Sequence, residues 1–178
     1  MKKISLHHLF ALALIAFVAL PVQAGEAAYA PEEQVYISNG ETTRRVAETY
    51  FDAYIRRDWT AIEGLISEDG GFSDPTSEQI FGTKPHRGKE ETIKAFRSGY
   101  AGITAMSANI TRTVFSSSYA LFEGTLDWTL KLQSGKTIDT KEMPIVVILT
   151  IKDGKVVDHK DYADYRSFIE AFRRVRAK

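Results

Sequence analysis

Cysteine is absent from this 178-residue chain. That excludes disulfides, thiolate metal sites and a lipid-modified cysteine, so a fold here is held by its core alone. Charge of one sign is also missing, with 23 basic residues set against 23 acidic ones. Nothing in that balance points to nucleic acid or an anionic membrane as a partner. Histidine is scarce. Beyond the first 24 residues only His86 and His159 remain, without ligand spacing, and no metal site or cofactor is expected. Long apolar runs are confined to the start of the chain.

That start reads as an address. Lys2 and Lys3 precede an apolar stretch, Leu9 to Leu20, and Val22-Gln23-Ala24 has the small-residue pattern of a cleavage site. Residues 1–24 are expected to be a secretory signal peptide, too short and wrongly flanked for a membrane span. Its removal would leave a periplasmic or secreted chain with no membrane attachment. The mature count would be 21 basic against 23 acidic residues. Residues 25–40 carry Ala, Glu and Pro without periodicity and are expected to be a flexible lead. Residues 41–178 are long enough for one core and show no repeat or second domain.

Thr42 or Thr43 can cap a first helix to about Arg57, with Val46, Tyr50 and Tyr54 on one stripe. Asp58 caps a shorter second helix from Trp59 to Ile66. Phe72 to Asp74 is a short strand, and residues 75–88 a polar loop. Lys89 to Tyr100 forms a third helix burying Ile93, Phe96 and Tyr100. After Gly102 the apolar period changes from helical to alternating. Residues 108–116, 119–133, 137–151 and 155–161 are expected as four strands in a meander. Asp153-Gly154 is a hairpin turn, and Pro144 marks a bulge or an edge. Residues 166–175 close the chain as a helix. The expected fold class is α+β: a cone-shaped curled antiparallel sheet, three N-terminal helices packed across it, and a short C-terminal helix. Such a cone leaves a pocket, open at one end, for a small-molecule ligand.

Pro75 biases Asp74 toward an extended backbone, so the Asp74 carboxylate points one way. His159 and Asp161 share parity on the last strand. They form an acid–base pair if that face is the cavity, and are solvated if it is the outside. Glu123, Thr125, Asp127 and Thr129 share one face, opposite Phe122, Leu126, Trp128 and Leu130.

Three stretches carry a resemblance. They are Tyr50-Phe51-Asp52-Ala53-Tyr54-Ile55-Arg56-Arg57-Asp58, Phe72-Ser73-Asp74-Pro75, and Asp153-Gly154-Lys155-Val156-Val157-Asp158-His159-Lys160-Asp161-Tyr162. In this order and spacing the chain, over about residues 41–172, resembles the nuclear transport factor 2-like superfamily, in its SnoaL-like and ketosteroid isomerase-like branch. The resemblance implies Tyr50 as an oxyanion donor and Asp74 as the proton-moving base. The second acid of those isomerases has no counterpart in Ile145-Val146-Val147-Ile148-Leu149. SnoaL-like cyclases use an acid near the end of the last strand, where Asp161 is the nearest match and Asp164 the next.

The expected catalytic set is therefore Asp74, Tyr50, His159 and Asp161. The expected ligand-binding set is Tyr54, Phe72, His86, Phe122 and Trp128. The resemblance also implies a homodimer. The leading expectation is a protein that binds a small apolar or aromatic molecule. The alternative is a cofactor-independent isomerase, cyclase or dehydratase with Asp74 as base and Tyr50, His159 or Asp161 as donors.

Overall fold

The computed structural model describes residues 29–177. The expected signal peptide lies outside the described residues. The first helix, α1 (Pro31–Arg56), begins well before Thr42 and takes in much of the stretch expected as a lead. Pro31 suits a first helical position, and Glu32 and Glu33 complement the dipole there. The Glu33 carboxylate also accepts from the Ala30 backbone N–H at 2.8 Å. Only the second half of α1 is buried, through Thr43, Val46, Ala47, Tyr50, Ala53 and Tyr54 at helical spacing.

Arg57 turns the chain in the left-handed region, at φ 59°. Asp58 then caps α2 (Trp59–Leu65) by accepting from the Ala61 N–H. β1 (Ile66–Ser73) follows and is longer than the three residues expected. Residues 75–88 are not a simple loop: they hold α3 (Pro75–Phe81) and the two-residue β2 (His86–Arg87). The reason is local. Asp74 accepts from the Ser77 N–H and Pro75 stands at the first helical position, so the pair that ends a strand also starts a helix. With α4 (Lys89–Gly99), four helices precede the meander rather than three.

β3 (Ile103–Ser116), β4 (Tyr119–Lys131), β5 (Thr137–Lys152) and β6 (Lys155–Ala163) form the meander, and α5 (Arg166–Arg176) closes the chain. The sheet is curled and unclosed, with strand order β2-β1-β6-β5-β4-β3. Every neighbouring pair is antiparallel except β1 and β6, which run parallel, with Phe72 beside His159. Asp153 and Gly154 both have positive φ, 51° and 71°, the type I′ geometry that matches the twist of the flanking strands.

The bulge expected near Pro144 falls two residues earlier. Glu142 has φ 49°, and the β4–β5 register shifts between Leu126 and Trp128. Asp127 fastens it by accepting from the Glu142 N–H at 2.8 Å. Pro144 stands one residue beyond the last β5–β6 pair, Ile145 with Ala163, where a missing donor costs the ladder little. A bulge here bends the long strands and curls the sheet.

Face parity decides the interior. Phe122, Leu126, Val147 and Leu149 are buried against the helices. Glu123 and Asp127 lie on the opposite face of β4, paired with Arg112 and Lys141. His159 and Asp161 are 0% and 3% exposed, so the inner of the two faces open to them is the one they occupy.

Candidate functional site

The curled sheet, α3, α4 and α5 enclose a cavity of about 370 Å³. Its wall is mostly apolar, from Phe72, Phe96, Trp128, Leu130 and Phe168. Asp74, Tyr100 and Tyr165 are set into that wall, and Thr83, Lys84 and His86 stand on the 82–87 segment at its edge.

Asp74 is placed by the strand-to-helix junction and is 7% exposed. Its Oδ1 accepts from the Ser77 N–H at 2.8 Å and from the Thr76 hydroxyl at 2.6 Å. Its Oδ2 accepts from the Tyr165 hydroxyl. Thr76 in turn accepts from the Ala163 N–H at 2.9 Å, which ties α3 to the end of β6. Oδ1 is thus saturated, and Oδ2 keeps one free lone pair. Burial, then the Asp74 charge, hold the Tyr165 phenol well above its ordinary range.

A second set of polar groups lies beneath the wall. The Tyr50 hydroxyl meets His159 Nδ1 at 3.2 Å, His159 Nε2 meets Asp161 Oδ1 at 2.8 Å, and Tyr54 donates to Asp161 Oδ2 at 2.7 Å. Tyr54 is also bonded to the Tyr100 hydroxyl. Hydrogen counting fixes the directions. Tyr54 has one hydrogen and gives it to Asp161, so Tyr100 donates to Tyr54. A His159 hydrogen on Nε2 serves Asp161 and leaves Nδ1 to accept from Tyr50, which satisfies every member. The relay Tyr50–His159–Asp161–Tyr54–Tyr100 therefore reaches the cavity at Tyr100. Burial first, then the Asp161 charge, raise the Tyr50, Tyr54 and Tyr100 phenols well above the ordinary value. The His159 imidazole is packed among the rings of Tyr50, Tyr54, Phe72 and Phe96.

Of the residues expected from sequence, Asp74, Phe72, His86 and Trp128 line the cavity. Tyr50, Tyr54, His159 and Asp161 do not; they form the buried relay behind it. Tyr50 is therefore not placed to touch a ligand, because its hydroxyl is spent on His159. Phe122 is also away from the cavity, stacked on Phe51 with centroids 4.3 Å apart. His86 turns Nδ1 to Glu91 Oε1 at 3.2 Å. Tyr100 and Tyr165 went unnoticed in sequence. Tyr100 read as the last member of a packing stripe, and Tyr165 sits in the short link before α5, where no periodicity flags it. Among the described residues, no cluster of His, Asp or Glu is arranged to hold a metal ion.

This architecture defines a cone-shaped α+β ligand-pocket fold. The SnoaL-like domain family matches residues 47–159, and the chain belongs to it. No curated protein matches in sequence. Solved structures share the fold at low identity. A provisionally named SnoaL-like polyketide cyclase of Shewanella denitrificans superposes with a TM-score of 0.66 at 17% identity, covering 74% of this chain and 97% of that one. An epoxide hydrolase of M. tuberculosis, described as LEH-like, gives 0.57 at 16%, covering 75% and 91%. TerC, co-crystallised with polyporic acid, gives 0.59 at 19%, covering 74% and 98%.

Proposed function

We propose that this SnoaL-like protein is exported and binds a small apolar or aromatic molecule in its cavity. The observation that carries the reading is the wall itself: aromatic rings surround about 370 Å³ of space, and a few polar groups converge within it. Rings of this kind contribute apolar area and favourable edge-to-face contacts to a flat ligand. The polar groups suit holding better than turnover. Asp74 is engaged by Thr76, Ser77 and Tyr165, and the hydrogens of Tyr100 and Tyr165 are spent on Tyr54 and Asp74. An oxyanion would find no preorganised phenol donor there. The co-crystal of TerC with polyporic acid supports a ligand of aromatic type. Export rests on Lys2, Lys3 and the apolar run to Leu20. Homodimerisation through the open sheet face belongs to the same proposal, and sedimentation of the mature chain tests it.

A second reading is a cofactor-independent isomerase, cyclase or dehydratase. It is favoured by the free Oδ2 lone pair of Asp74 at the cavity, which is where a general base would stand. In that reading Tyr100, backed by Tyr54 and Asp161, replaces Tyr50 as the donor, after its hydroxyl turns.

Native mass spectrometry of the mature protein purified from its own host is the test. The expected result is a co-purified small molecule that is lost in Leu130→Trp, which fills the cavity without touching the polar groups. An apo protein in the host that also fails to take up naphthalene-sized aromatics would overturn the proposal.

A further inference from the structure

The polar groups inside the cavity share a property that follows from where their hydrogens go. Tyr165 gives its only hydrogen to Asp74, and Tyr100 gives its only hydrogen to Tyr54. Asp74 has none to give and retains a lone pair on Oδ2. Asp74, Tyr100 and Tyr165 line the same cavity, and the Asp74 and Asp161 charges each help to raise the Tyr100 and Tyr165 phenols. Among the described residues, no lysine or arginine forms a salt bridge with either carboxylate, and Asp161 is bonded to His159. The wall also holds hydrogens on Trp128, Ser77, Lys84 and His86, and His86 turns its Nδ1 to Glu91. The Trp128 Nε1–H has no partner, but that atom is closed off from the cavity surface. Ser77 has a spare hydrogen, yet its hydroxyl is tied to Thr83 at 3.0 Å, on the exposed 82–85 connection. Lys84 is exposed on the same connection.

From this we infer that the part of the cavity wall formed by Asp74, Tyr100 and Tyr165 is built of acceptors, and that its ligand is an aromatic compound carrying a hydrogen-bond donor, O–H or N–H, rather than a ketone, aldehyde or ether. The inference rests on the ligand-binding reading and narrows it. A donor on the ligand satisfies the Asp74 lone pair or a Tyr100 or Tyr165 oxygen, one acceptor for each hydrogen it carries. A carbonyl there meets only lone pairs, and both sides lose water without gaining a bond. A phenol and a protonated amine share the required chemistry. The Asp74 carboxylate, at the cavity, favours the amine by charge, and the aromatic rings favour it through cation–π attraction.

Calorimetric titration with five molecules of one shape tests this: naphthalene, 2-methoxynaphthalene, 2-naphthaldehyde, 2-naphthol and 2-naphthylmethylammonium. The expected result is that at least one donor binds about tenfold or more tighter than the two acceptor-only compounds, the usual worth of a hydrogen bond to a charged group. Which donor leads assigns a phenol or a cation. Asp74→Asn supplies the control. An amide still caps α3, so the fold is kept, but its N–H faces the Tyr165 oxygen and frees the Tyr165 hydrogen for the cavity. The donor preference should then fall to within about twofold or invert toward the aldehyde, as expected when one charge-assisted bond is lost. Equal binding of all five by the native chain overturns the inference and leaves the pocket reading standing. Tighter binding of the aldehyde does the same. Failure of all five to bind overturns both.

Discussion

Tyr50 is the residue whose role differs most between resemblance and geometry, and Tyr50→Phe separates the two. The substitution removes one oxygen and leaves the ring, so no apolar cavity forms. What is lost is the hydroxyl that reaches His159 Nδ1 at 3.2 Å, in a place where both residues are 0% exposed. Nδ1 is then a buried acceptor without a donor, which costs about 1–3 kcal/mol. A water entering the vacated space would bring the loss to the lower end of that range. For a domain of this size, such a loss lowers Tm by about 2–12 °C. Urea unfolding is the primary assay. The midpoint should fall with the slope unchanged, since the exposed area is the same. Ligand affinity should stay within about twofold, because the hydroxyl makes no contact with the cavity and distant effects on binding are usually small. An unchanged midpoint would refute the assigned hydrogen bond. An unchanged midpoint together with lost binding would return Tyr50 to the ligand-touching role implied by the resemblance.

Alkaline pH should unfold the protein early. Tyr50, Tyr54, Tyr100 and Tyr165 all keep their protons above the ordinary value of 10.0 while folded. In the unfolded chain they release them near 10, so stability is fully present below that pH and falls above it, by up to ~1.4 kcal/mol per phenol per pH unit. Urea midpoints measured from pH 7 to 11.5 check this, and a flat profile to pH 11.5 contradicts the buried phenols. Gly124→Ala should cost about 3 kcal/mol or prevent folding, because a Cβ there would lie 2.1 Å from the Asn109 carbonyl oxygen, on backbone that cannot step aside. Thermal melts of the variant, with circular dichroism at 25 °C as the check for a folded state, decide it.

The four strands of the meander were legible because each rested on a strong local signal. Asp153-Gly154 announced a type I′ turn, and the alternation from Tyr119 to Leu130 sorted buried from paired residues correctly. Parity alone joined His159 to Asp161, though not which way they faced. α3 is not legible although its signals are present: Asp74 reads as the end of a strand and Pro75 as the start of a loop, and the same pair is a cap and a first helical residue. The parallel pairing of β1 with β6 has no local signature, since it joins residues about ninety apart through tertiary packing. Tyr165 was invisible for a similar reason. Its place at the cavity is set by the bond to Asp74, and nothing in the residues around it records that.

The pairing of β6 beside β1 also sets an order of events. Tyr50 finds His159 across 109 positions, Tyr54 finds Asp161 across 107, and Asp74 finds Tyr165 across 91. The contact order of the core is therefore high, and such chains fold slowly. During vectorial synthesis β1 lacks its parallel neighbour, and Tyr50 and Tyr54 lack their hydrogen-bond partners, until the last strand emerges. An N-terminal fragment ending before β6 would lack His159, Asp161 and Tyr165, the partners of Tyr50, Tyr54 and Asp74. Closing the domain thus waits for its last strand, β6, which carries both His159 and Asp161.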